Sequence, residues 1–204
     1  MSKIGIIDYG AGNIQSVINA FNFIGKRAVL ISKASEIFTC DRVVLPGVGA
    51  FAHAMTRLKE RGFDSSIREF VASKKPFLGI CLGMQLLFDK SYEFGKCAGL
   101  GLISGDVVKF NENKIDLKIP HVGWNSMKFH QKTPINFDLN QSEYFYFVHS
   151  FHAVCDDKFV LATSEYGYEF VSAVAYENIY GFQPHPEKSH DVGLKIIKNF
   201  TEIA

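Results

Sequence analysis

The chain has 204 residues, and its 22 Lys and Arg against 21 Asp and Glu leave a formal net charge of +1. That balance gives no support to a nucleic-acid binder, which needs a basic excess or a basic stripe along one face. With 47% hydrophobic and 21% charged residues it is ordinary globular material rather than a disordered tail, and residues 1–204 read as a single domain.

In chain order, Lys3–Asp8 is a short apolar strand. Ile14, Val17, Ile18, Phe21 and Ile24 then fall at helical spacing, with Gly25 where a C-terminal glycine belongs. Ala28–Ile31 and Val43–Leu45 are further β-type runs. Between Arg57 and Lys75, the residues Phe63, Ile67, Phe70 and Val71 mark one buried face of a helix whose charges form its solvated side. Phe77–Ile80 is the next strand, and a helical pattern follows over Leu82–Lys90. Strands separated by helices predict an α/β fold with a mostly parallel central sheet covered on both faces. The second half differs: Val107–Phe110, Lys114–Leu117, Tyr144–Val148, Phe159–Thr163, Phe170–Tyr176 and Ile179–Phe182 are β-rich runs with short turns between them. They predict antiparallel strands added to that sheet or its edge. Ser189 stands where it could cap a last helix whose buried positions are Leu194, Ile197 and Phe200.

Only four uncharged residues separate Lys3 from Asp8, too few for a signal-peptide core, and the longest apolar runs, Val43–Met55 and Pro76–Phe88, are about 13 residues. A membrane helix needs roughly 20. The expectation is a cytoplasmic protein that engages no membrane. Cys40, Cys81, Cys97 and Cys155 form no CxxC pair and no zinc-ribbon spacing. In a reducing compartment a lone cysteine is either buried filler or a nucleophile.

Cys81 has the context of a nucleophile. An apolar strand runs into Gly79-Ile80-Cys81-Leu82-Gly83 and a helix begins at once, which is the spacing of a nucleophile elbow with cysteine in place of serine. The flanking glycines are needed because a side chain there would collide as the backbone doubles back. A free thiol is only a few per cent thiolate at neutral pH, and a helix N-terminus or a histidine raises that fraction. The N–H of Leu82, just past the sulfur, is a natural oxyanion donor.

Seven histidines could supply the base. His185 is bracketed by Pro184 and Pro186, which forbid a helix there. In an extended backbone His185 and Glu187 project to the same side, so the carboxylate can orient the imidazole and leave its other nitrogen for sulfur. Cys81, His185 and Glu187 therefore compose a candidate triad. His149 and His152 invite a metal reading, but a spacing of three puts them on opposite faces of a strand and no third ligand is evident. Gly10-Ala-Gly12-Asn-Ile-Gln15 is half of a dinucleotide fingerprint with Gln15 where the third glycine belongs, so neither metal nor cofactor is expected.

The Gly79–Gln85 elbow and the Gln-Pro-His-Pro-Glu-Lys-Ser segment at 183–189 resemble the two principal motifs of the class I (triad) glutamine amidotransferases. Asp8-Tyr9-Gly10-Ala11-Gly12-Asn13-Ile14, Pro46-Gly47-Val48-Gly49 and Pro120-His121-Val122-Gly123-Trp124-Asn125 are similar to signatures of that family's histidine-pathway glutaminases, and the similarity runs from Ile4 to the terminal helix. By resemblance, Cys81 attacks the side-chain amide of glutamine, His185 protonates the departing ammonia and Glu187 orients His185. The resemblance also implies that Leu82 with Val48 or Gly49 forms the oxyanion hole, and that Gly47, Gln85, His149, Ser150 and Phe151 hold the glutamine. Ammonia would pass to a partner (β/α)8-barrel cyclase, giving imidazole glycerol phosphate and an aminoimidazole carboxamide ribotide. Asn13, Trp124 and Lys188 are the implied docking residues. A glycine-rich loop at 46–49 can hold a peptide turned away from the oxyanion position until the partner is loaded, which predicts low activity in isolation.

Two positions depart from the family pattern: Pro184 stands where phenylalanine is usual, and Phe151 where tyrosine is usual. They leave open a paralogue that feeds ammonia to an enzyme amidinating a surface-glycan sugar. A catalytically silent regulatory subunit is the alternative of another class, against which all three triad residues are present. A stand-alone cysteine peptidase would not need the segment around Trp124.

Overall fold

The computed structural model describes residues 2–10 and 12–203, so Ala11 of the opening motif lies outside the described residues. The first half builds the parallel part of the sheet from strands β1 (Ile4–Ile7), β2 (Ala28–Ile31), β3 (Arg42–Gly47) and β4 (Phe77–Cys81). β1 pairs in parallel with β2 and β3, and β3 with β4. These strands are short apolar runs because helices bury them from both sides. On one face lie α2 (Phe51–Glu60) and α3 (Phe63–Ala72), which bury Met55, Leu58, Phe63, Ile67 and Phe70 with Val43 and Leu45 of β3. On the other lie α1 (Ile14–Phe23) and α5 (His190–Glu202), which bury Val17, Phe21, Ile197 and Phe200 with Ile4, Ile6 and Val44. At about 1.5–3 kcal/mol for each large side chain removed from water, these two layers are the main favourable term of the fold.

The single helix expected across 57–75 is two. Gly62, at φ 71°, breaks it in the left-handed region, so Arg57–Glu60 finish α2 and a second helix starts at Phe63. The helix expected from Leu82 to Lys90 is a single turn, α4 (Leu82–Gln85), followed by strand β5 (Phe88–Ser91). The reason is visible in the backbone: the carbonyls of Leu86, Leu87 and Phe88 accept from Leu100, Leu102 and Gly101. Those acceptors are not free to continue a helix.

The second half adds β6 (Cys97–Ala98), β7 (Ile103–Lys109), β8 (His121–Phe129), β9 (Ser142–His149), β10 (Phe151–Cys155), β11 (Val160–Glu165), β12 (Glu169–Tyr176) and β13 (Ile179–Phe182). The strand order is β2-β1-β3-β4-β13-β12-β10-β7-β5-β6, with β11, β8 and β9 branching from β12. β8 has no counterpart among the expected runs, and Lys114–Leu117 forms no strand; Leu117 is exposed while Ile115 is buried against Gly167. β13 joins the sheet itself and not its edge, and only one of its two pairings is the antiparallel one expected. It lies antiparallel to β12 but parallel to β4, in the middle of the sheet, with Gly181 opposite Gly79 and Phe182 opposite Ile80. That placement sets the chain after β13 beside the chain after β4. The two halves of the candidate site meet there.

Candidate active site

Cys81 ends β4 and sits at φ 54°, ψ −113°, a backbone conformation that side-chain-bearing residues rarely adopt. The glycines on either side make that turn possible. A Cβ on Gly79 would stand 2.6 Å from the Gly83 carbonyl oxygen, and one on Gly83 would stand 1.8 Å from that of Leu45. Cys81 as a whole is largely enclosed, 7% exposed. Since α4 is one turn long, the dipole of a long helix is not available to it, and its charge partner is the imidazole instead.

That imidazole belongs to His185, 2% exposed, in the segment that follows β13. His185 Nδ1–H donates to Glu187 Oε1 at 2.8 Å, and both side chains are almost wholly enclosed. The contact does not come from the extended backbone expected. Pro186–Lys188 is a 3-10 turn opened by Pro186, and the turn swings Glu187 back under the ring. Pro184 is buried and leaves both contacts of His185 in place, the second being its backbone N–H to the Tyr146 carbonyl at 2.9 Å. Ser189 makes no cap bond to α5; its hydroxyl donates to the His185 carbonyl at 2.7 Å and accepts the Tyr146 N–H at 3.0 Å. The segment is thereby stitched to β9.

The other ring nitrogen, Nε2, is enclosed and makes no hydrogen bond of ordinary geometry, although the Cys81 sulfur is close enough to act on its charge. Burial works against the imidazolium, but Cys81 and Glu187 outweigh it and push His185 from 6.5 up to about 10. The ring is charged at neutral pH. Because the folded value lies above the ordinary one, this charge contributes stability below pH 6.5 and the contribution is lost as pH rises towards about 10. Imidazole NMR titration should find that Cys81→Ala and Glu187→Gln each lower the midpoint, since either removes a favourable partner while burial persists. A midpoint unmoved in both variants would show that neither group holds the proton.

Two residues at the sulfur have no role in the expectations above. Gln183 is fully buried, and its Nε2 donates towards Cys81 Sγ at 3.9 Å. Its position two residues before His185 was the available signal. Tyr9 is also fully buried; burial, together with the charge of Cys81, raises its hydroxyl. Gln85 is brought into the same group: its Nε2 donates to Gln183 Oε1 at 2.9 Å and to the Phe151 carbonyl at 3.1 Å.

The remaining candidate residues cluster around this centre in different ways. Leu82 N–H is the first amide of α4 and has no intrahelical acceptor. Gly47 is the register partner of Cys81 at the end of β3–β4, so the loop with Val48 and Gly49 starts at the sulfur's strand. Val48 is exposed, and Gly49 turns at φ 93°. His149 ends β9 and Phe151 opens β10, with a bend at Ser150 between them. That bend corrects the expectation of opposite faces: His149 and His152 both pack on the Phe110 ring, at 5.1 and 4.8 Å. No group of three His, Cys, Asp or Glu among the described residues is placed to hold a metal ion. Asn13 caps α1 by accepting the Ser16 N–H at 3.4 Å, Lys188 is exposed, and Trp124 is stacked parallel on His190 at 4.8 Å.

The family model for class-I glutamine amidotransferases matches residues 5–203. The chain is 55% identical over 202 residues to imidazole glycerol phosphate synthase subunit HisH of Sulfurimonas denitrificans, covering 98% of this chain and 97% of that protein. It is 51% identical over 203 residues to the protein of the same name from Wolinella succinogenes, covering 98% and 99%. Among solved structures, PurLQS from Thermotoga maritima superposes with a TM-score of 0.77 at 18% identity, covering 99% of each chain. A putative GMP synthase protein from Thermoplasma acidophilum gives 0.72 at 23%, covering 99% of this chain and 93% of that one. At such identities these two speak for the fold alone. By the reach of the family model and by its curated relatives, the chain belongs to the class-I glutamine amidotransferase family.

Proposed function

We propose that the chain is the glutaminase subunit of imidazole glycerol phosphate synthase in histidine biosynthesis, a single cytosolic domain that releases ammonia for a (β/α)8-barrel cyclase. The single observation that carries the chemistry is the buried Cys81–His185–Glu187 arrangement on a strained elbow, with the imidazole charged at neutral pH. The pathway rests on relatives of 46–55% identity that carry the HisH name and are matched over nearly their whole length.

In this reading the Cys81 thiolate attacks the side-chain carbonyl carbon of glutamine. The carbonyl oxygen takes the negative charge and is met by the Leu82 amide and an amide of the Gly47–Gly49 loop. His185 gives its Nε2 proton to the departing nitrogen, ammonia leaves, and a thioester remains on the sulfur. A water molecule, deprotonated by the now neutral His185, hydrolyses the thioester to glutamate and restores the pair. Glu187, held on Nδ1, keeps Nε2 facing the reaction through both steps. Gln183 Nε2, near the sulfur, supports the thiolate between turnovers. Asn13, Trp124 and Lys188 are the residues assigned to the cyclase face.

The test is to co-express the chain with a histidine-pathway cyclase and to measure glutamate release with and without the cyclase's ribonucleotide. Strong stimulation by the loaded partner, together with rescue of a histidine auxotroph, is the expected result. Equal turnover by the isolated chain and the loaded complex would remove the partner-gated loop. No stimulation and no rescue would redirect the ammonia to another acceptor enzyme, such as one that amidinates a glycan sugar.

A further inference from the structure

A single file of hydrogen bonds runs from the half-exposed Asn125 on β8 to the catalytic sulfur, and its direction is fixed at every link. The Phe151 carbonyl can only accept, so His149, 2.9 Å away through Nδ1, carries its proton there. A neutral His149 then offers Nε2 as an acceptor, and the atom that meets it at 2.9 Å is His121 Nδ1, which must be the donor. His121 in turn keeps Nε2 as an acceptor for the Asn125 side-chain amide at 3.3 Å. Burial, which holds His121 at about 4 and His149 at about 3, keeps both rings neutral at neutral pH, as this pattern requires. His121 is clamped between the rings of Phe147 and Tyr166, at 4.9 and 4.1 Å, both nearly parallel to it.

On its far side the Phe151 carbonyl also accepts from Gln85 Nε2, so both of its lone pairs are used. Gln85 spends both amide hydrogens, on Phe151 and on Gln183, whose own amide reaches Cys81. A flipped Gln85 amide would set oxygen against two oxygens. Its orientation is therefore determined, and its Oε1, with no protein hydrogen bond among the described residues, is left to accept an N–H from a ligand.

We propose that His121 and His149 are positioning residues for glutamine binding: a pair of neutral rings, both with the proton on Nδ1, that holds the Phe151 carbonyl and through it the orientation of Gln85 and Gln183 at Cys81. The proposal rests on the glutaminase reading and adds to it a line of support reaching back to β8, the strand that carries Trp124. Neither ring touches the reacting atoms in it.

The proposal is tested first on the unaltered chain. Long-range nitrogen-15 imidazole spectra should show the neutral Nδ1–H form at both His121 and His149; an Nε2–H form at either ring overturns the relay. The second test uses the complex with its cyclase and reads KM for glutamine apart from kcat. His149→Gln keeps an amide for His121 but removes the donor to Phe151, and should raise KM by about tenfold with kcat within about twofold. His149→Asn places an amide at the Nδ1 position and should recover most of that loss. His121→Ala should raise KM in the same direction and His121→Asn restore it, which decides the matter if either His149 variant fails to fold. Variants that lose thermal stability while KM stays at the unaltered value, or that show no difference between Asn and Gln at position 149, overturn the proposal. A wild-type complex that releases no glutamate would instead overturn the glutaminase reading, whatever the tautomers are.

Discussion

Cys81→Ala should reduce glutamate release by the loaded complex about 10⁴-fold or more, with little change in glutamine affinity. The size of the effect follows from what is removed. In the proposed mechanism the sulfur is the group that forms the covalent bond, and in enzymes whose nucleophile, base and orienter act as a unit, loss of the nucleophile costs about as much as loss of the whole set. Binding should survive because Gln85 is held by Phe151 and Gln183 rather than by the sulfur. Added ammonium salt should restore product formation by the same complex, since the defect lies in ammonia release and not in the acceptor enzyme. Retained glutaminase turnover in this variant would remove the proposed mechanism.

Gly83→Ala should be the most disruptive single methyl group that can be added to the elbow. Its Cβ would lie 1.8 Å from the Leu45 carbonyl oxygen, a backbone atom of a strand paired to β4 on one side and β1 on the other. No rotamer change can relieve such a contact. Either β3 separates from β4 or the turn itself must open, and overpacking against fixed backbone of this kind costs about 3 kcal/mol or more. For a chain of this size that corresponds to a fall in Tm of roughly 6–12 °C. Thermal unfolding followed by circular dichroism is the measurement, and an unchanged Tm would show that the elbow is less tightly packed than described.

The elbow and the His185–Glu187 pair were legible in the sequence because their constraints are local: glycines two residues either side of a cysteine, and a histidine fixed between prolines. The alternation of strands and helices in the first half was legible for the same reason. What escaped was decided by partners far along the chain. Leu86, Leu87 and Phe88 suit a helix as well as a strand, and the choice fell to the amides of residues 100–103 that take their carbonyls. β8 carries Gly123, Asn125 and Ser126 within a two-sided strand whose residues are mostly half-buried or exposed, so no apolar alternation announces it. Gln183 and Tyr9 are brought near Cys81 across 102 and 72 residues of chain. Spacing cannot reveal those.

The position of β13 has a consequence for how the protein is made. Until residues 179–182 emerge and pair, β4 has a bare edge along four buried residues, Phe77–Ile80, next to the proposed nucleophile Cys81. A nascent or truncated chain that stops before Ile179 thus presents an apolar strand edge next to a thiol and lacks His185, the imidazole placed to charge it. Such a species invites edge-to-edge association and lacks two members of the proposed triad. The completing strand and the proposed acid–base residues lie together within residues 179–187, so the same short stretch closes the sheet and completes the candidate triad.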